Sequence, residues 1–200
     1  MRTTFRKREE TKGVSIGTAV VVVYDSVTHY GPFPPVAPGG VVEHAAQDPS
    51  KWTGGVDAVI FSDGHSEGDQ QGVNDIYERR RGVYDAIIKV LPLLDTIATQ
   101  GASPTDVADT IHRLYQSLPN DRTITGGERL GQGQVYQSIE TLLRSQKDIG
   151  GLYDPTKYPP QPSIDEVAKV NGIPREQAHA IVLSTKYQGL KALVEANLQP

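Results

Sequence analysis

The stretch Asp69-Gln-Gln-Gly-Val73-Asn-Asp-Ile76-Tyr77-Glu-Arg-Arg-Arg-Gly-Val83-Tyr84-Asp-Ala-Ile87-Ile88-Lys-Val-Leu91-Pro92-Leu-Leu94-Asp-Thr-Ile97-Ala98 decides the fold. Its apolar residues recur at Val73, Ile76/Tyr77, Val83/Tyr84, Ile87/Ile88, Leu91, Leu94 and Ile97/Ala98, a spacing that keeps one face of an α-helix apolar over about seven turns. Before it the pattern is extended, with β-branched runs at 14–24, 41–44 and 56–61. A switch of period near Asp69 predicts an α+β protein: a small antiparallel N-terminal β-domain followed by a mainly helical C-terminal region. Pro92 removes one helix hydrogen bond and crowds the preceding turn, so it is expected to kink or split the long helix. Glu78, Arg79, Arg80 and Arg81 read as a solvated face.

Working outward, Ser103 before Pro104 and Asp106 announces a second helix, with Val107, Ile111, Leu114/Tyr115 and Leu118 as its buried stripe. The segment Pro119-Asn-Asp121 ends it, and Gly126-Gly127 reads as a loop before a third helix carrying Val135, Ile139 and Leu142/Leu143. The organisation expected is therefore a flexible basic tail at 1–13, a β-rich domain at 14–68, a helical region at 69–150, a proline-rich linker at 151–162 and a terminal helical pair at 163–200, free to move independently. Within 31–40, four prolines exclude a ladder strand, so this segment is expected as a rigid loop, with an SH3-like ligand as the alternative. Trp52 beside Gly54-Gly55 reads as a structural aromatic on the small sheet.

The 20 glycines and 14 prolines point to numerous loops. A net charge of −4 argues against a generally nucleic-acid-coating protein. The absence of cysteine excludes disulfides, thiolate zinc sites, iron–sulfur clusters and thiol nucleophiles. No apolar run approaches the ~20 residues of a spanning helix. Nor does the N-terminus, with Arg2, Arg6, Lys7 and Arg8 followed by Glu9 and Glu10, form an export signal.

The segment Val56-Asp-Ala-Val-Ile-Phe-Ser-Asp-Gly-His-Ser-Glu-Gly-Asp69, followed by Glu78-Arg-Arg-Arg81, resembles a group of uncharacterised bacterial proteins. In these a short β-domain ends in a V-D-A-V-x-F-x-D-G-x-x-E-G-D strand and passes into a long helix with an arginine cluster. The resemblance covers residues 14–95. It implies a fold and an extracytoplasmic location, and carries over no catalytic residue.

Two constellations carry chemistry. Asp63, His65, Glu67 and Asp69 alternate as oxygen and nitrogen ligands can around a divalent cation, but the twelfth position of a calcium loop starting at Asp63 is Asn74 instead of a bidentate glutamate. The better-motivated reading makes Asp63-Gly64 a turn and Asp69 the N-cap of the long helix, with no cofactor. In the terminal pair, Ser163-Ile-Asp-Glu166 forms a capping box. Ala168, Gly172 and Ile173 then stand at helix-turn-helix spacing, with Ala178 and Ile181 facing inward and Arg175, Gln177 and His179 on the prospective reading face. A helical hairpin for packing or dimerisation is the preferred reading, because Glu176 repels phosphate and few lysines flank the helix.

Other motifs fail on context. The five histidines include no i,i+4 pair. Gly13-Val-Ser15-Ile-Gly17 precedes a strand instead of forming a nucleophile elbow, and the glycines of 126–133 lack the G-K-[ST] ending of a phosphate loop. Elimination leaves a non-enzymatic structural or interaction module with a protein partner or self-association. The alternatives are a DNA-binding regulator using 163–187 and a cation-dependent enzyme centred on 63–69.

Overall fold

The computed structural model describes residues 2–11, 14–23, 25, 27–28, 53–61, 64–119, 124–146 and 162–198. The strands are β1 (Arg2–Thr11), β2 (Val14–Val23), β3 (Thr53–Ile60) and β4 (Ser66–Gly68). The helices are α1 (Gln70–Gln100), α2 (Pro104–Gln116), α3 (Gly126–Ser145), α4 (Ile164–Asn171) and α5 (Arg175–Glu195). The protein is thus α+β, with a small antiparallel N-terminal sheet and a helical remainder. Expectations for residues 31–40, 41–44 and 151–161, and for His29, His44, Trp52 and Asp63, fall outside the described residues.

The sheet has the order β2-β1-β3-β4, antiparallel throughout. The structure places Arg2–Thr11 in a strand where a frayed basic tail was expected. β1 pairs with β2 along its whole length and with β3 on its other side, so backbone ladders on both edges outweigh its polar composition. Only Lys12 and Gly13 separate Thr11 from its partner Val14, the spacing of a two-residue hairpin. At the other end, residues read as a loop form β4, which returns along β3. Gly68 adopts φ +101°, and the Asp57 carbonyl fills the space its Cβ would need, so glycine is required where the chain leaves the sheet for α1.

Asp69 then caps α1, its carboxylate accepting from Gly72 N at 2.9 Å. At 31 residues α1 is about 46 Å long and runs unbroken through Pro92, which lies on its exposed side. Its first turns place Val73 and Tyr77 against Ala58 and Ile60 of the sheet. Farther along, Val83, Ile87, Val90, Leu94 and Ile97 enter the main core. α1 is therefore the element both halves share, and it packs most extensively on α3 and α5.

The α1–α3 crossing is unusually close. A Cβ at Gly82 would collide with the Glu128 backbone, and one at Gly131 with the backbone of Arg79 and Val83. Gly126 and Gly127, expected in a loop, form the first turn of α3 behind the N-cap Thr125. Their helical state follows from a Thr125–Glu128 capping box and from packing that accepts no side chain at Gly127 or Gly131.

α2 covers α3, and α4 leans on α5. Ile164, Val167, Leu183, Tyr187, Leu190 and Val194 belong to the same core cluster as α1, so the terminal pair is packed onto the long helix and is not a separate unit.

Candidate functional site

The arginine cluster of α1 divides between roles that its linear pattern hides. Arg80, read as solvated, is buried, and its guanidinium forms a bidentate pair with Asp25: Nε to Oδ2 at 3.0 Å and Nη2 to Oδ1 at 2.9 Å. Asp25 also accepts from Val27 N and from the Thr28 hydroxyl, and Arg80 Nη1 donates to the Asn197 carbonyl just beyond α5. The neighbouring Arg79 donates to Gln134 Oε1 at 2.7 Å, and Gln134 Nε2 donates to the Thr28 carbonyl. Burial lowers the Arg79 guanidinium from its ordinary value, opposed by the charge of Asp25. The segment beyond β2, the middle of α1, the first half of α3 and the end of α5 thus meet in one hydrogen-bonded polar network.

Beside this network an open groove of about 850 Å³ runs between the end of α2 and the first half of α3. Arg79 and Gln134 are held at one side by the bonds just described. Half-buried Tyr115 supplies apolar surface from α2, with the buried Leu118 just beyond that helix, and Leu130, 64% exposed, supplies it from α3. Arg129, Gln137 and Ser138 complete the α3 side. Gly133 lets α3 approach the Tyr115 ring. The described lining includes two arginines and no carboxylate.

One wall is fixed from behind. Gln116 contacts His112 Nε2 at 2.8 Å, and His112 Nδ1 lies 3.0 Å from Glu140 Oε2. A carboxylate only accepts, so His112 Nδ1 carries the proton it donates to Glu140. Arg144 braces Glu140 at 3.0 Å and also reaches Asp109 at 2.6 Å. Burial disfavours the Glu140 carboxylate, but hydrogen bonds from His112 and Arg144 outweigh that and hold it below the ordinary carboxylate range.

The residues singled out for cation binding are arranged differently. His65 and Glu67 are exposed, 3.4 Å apart, with the His65 ring stacked on Phe61 across the β3–β4 turn. The Asp69 carboxylate is engaged at the start of α1. Asp63 lies outside the described residues, and among those described no group of three or more potential ligands converges.

Of the residues proposed to read DNA, Arg175 is exposed but bound to Asp165 at 3.1 Å and to the Gln146 carbonyl at 2.9 Å. Gln177 is half-buried. His179 is fully buried, so it is corrected from a reading-face residue to a core residue. The reason is the periodicity of α5: Ala178, Val182 and Tyr187 are also buried, and packing against α1 and α4 covers a broad face of the helix. The connection itself matches the expectation, with Gly172 capping α4 in the left-handed conformation at φ 63° and Ile173 packed on the core.

Ser15 lies inside β2 and the glycines of 126–133 lie inside α3, so neither forms an elbow or a phosphate loop. The groove was missed because its residues come from three separated segments and its apolar members were read as parts of helix stripes or not singled out. The spacing Gly127-x-x-x-Gly131, which signals close helix approach, was the available clue. No helix among the described residues is long and apolar enough to cross a membrane.

No protein-family model matches this chain, and no curated protein or solved structure matches it either.

Proposed function

We propose that this chain is a non-enzymatic protein-interaction module that docks a partner polypeptide in the groove between α2 and α3. The observation that carries the reading is the composition of that groove: exposed Leu130 with half-buried Tyr115, amides along the walls, and no pair of acid and base in the described lining. Apolar anchors with adaptable hydrogen-bonding groups suit a peptide, whose backbone offers a donor and an acceptor at every residue. The groove is at the upper end of the ~300–1,000 Å³ range of ligand clefts and is open, giving a short extended segment room. Carboxylates elsewhere hold structure together: Asp69, Glu128 and Glu166 at helix starts, Glu140 behind the wall, Asp25 in the interior.

A photocrosslinking amino acid at Gln137, compared with one at Ile88 on the exposed side of α1, tests the reading in cells that make the protein. The expected result is one discrete polypeptide adduct from position 137 that Leu130→Glu abolishes. Equal adducts from both positions, or none from 137, would contradict it.

A second reading, duplex DNA binding by 163–187, is favoured by the α4–Gly172–α5 connection. Burial of His179 and the engagement of Arg175 by Asp165 weigh against it.

A further inference from the structure

We infer that the partner segment taken by this groove is acidic, with a carboxylate held by Arg129 next to an apolar side chain on Leu130. The inference rests on the groove being the docking surface. The groove complements negative charge although the chain's net charge is −4. Both charged residues of the described lining are arginines. Arg129 is exposed and forms no salt bridge among the described residues, whereas Arg144 and Arg175 are each paired with a carboxylate.

The polar groups around Arg129 favour a polypeptide over other anions. Gln116 and Gln137 are both exposed on the groove lining. A side-chain amide carries both a donor and an acceptor, the complement of an extended backbone. A DNA phosphodiester backbone offers acceptors and no donor to pair with the amide carbonyls. Tyr115 is the sole aromatic side chain of the described lining, so successive nucleobases lack a stacking platform there. Arginine engages a carboxylate through two parallel hydrogen bonds, which sets the segment's position as well as its charge.

Fluorescence anisotropy with the full chain tests this. The probes are labelled octapeptides of alternating leucine and glutamate, leucine and glutamine, or leucine and lysine, together with a short labelled DNA duplex. The glutamate peptide should bind, and the glutamine peptide should bind about tenfold more weakly or worse, the loss expected for a charge-assisted contact. Arg129→Ala should weaken the glutamate peptide by a similar factor and leave the glutamine peptide unchanged, and Arg129→Glu should shift preference toward the lysine peptide. Equal binding of the glutamate and glutamine peptides, both weakened by Leu130→Ser, would overturn acidic selectivity while leaving the groove as the docking surface. Absence of peptide binding, or binding indifferent to both Arg129→Ala and Leu130→Ser, would overturn the inference and the groove reading together. Duplex binding that Arg129→Ala abolishes, without peptide binding, would overturn the inference in favour of a nucleic acid.

Discussion

Asp25 and Arg80 form a buried bidentate ion pair across 55 positions of sequence, with side chains only 2% and 6% exposed. Taking two charges out of water is costly, and the site repays this through additional bonds: Val27 N and Thr28 Oγ1 to the carboxylate, the Asn197 carbonyl to the guanidinium, and the Tyr77 ring 5.5 Å beneath it. Geometry of this kind fastens the segment beyond β2 to the helical core and, through Thr28 and Gln134, to the groove wall.

Asp25→Ala leaves the Arg80 charge buried without its carboxylate, and is expected to destabilise the protein by about 3–5 kcal/mol. In a double-mutant cycle, Asp25→Ala with Arg80→Met should cost much less than the sum of the single changes. Urea unfolding measures all three variants. Additive losses would contradict the pairing as the source of the effect.

Asp69 and Glu67 separate the capping role from the cation role. Asp69→Ala removes the acceptor for Gly72 N and should cost about 0.5–2 kcal/mol, whereas Glu67→Ala, exposed on β4, should stay within about 0.5 kcal/mol. Melting with calcium, magnesium or a chelator checks the alternative directly. A cation-dependent rise in Tm abolished by Glu67→Ala would show that the loop binds metal.

How much of this was legible beforehand varies by element. Asp69, Ser103 and Ser163 were readable as caps because capping is a local rule, satisfied within three residues. The core face of α1 was readable because period 3.6 survives any tertiary context that buries one side. β1 was not, since its strand state depends on partners at β2 and β3 more than on its own polar composition. Arg80 and His179 were misread for a related reason: a charged or polar residue looks solvent-facing until a distant group, Asp25 in the first case, or surrounding helices in the second, enclose it. The groove required knowing that Gly133 lets α3 approach the Tyr115 ring of α2, a fact about two helices at once.

Lys186 provides a test by pH. Burial drives its ammonium down to about 8 from the ordinary 10.5. Between those values the unfolded chain binds more protons than the folded one, so stability rises as pH increases from about 8. Burial raises the Tyr187 phenol, an opposing effect that begins only near pH 10. From pH 8 to 10 the wild-type protein should therefore gain on the order of 2 kcal/mol, and Lys186→Met should be more stable at pH 7 and lose most of that rise. Chemical denaturation across this range measures it. A Met variant retaining the full rise would assign it to another group.

Hydrogen exchange tests the groove reading most directly. With the full chain and saturating leucine–glutamate octapeptide, protection should increase over residues 115–118 and 126–138, the two sides of the groove, and stay unchanged over 164–179. Protection confined to 164–179, or produced there by duplex DNA while 126–138 stays unaffected by peptide, would contradict a docking surface between α2 and α3.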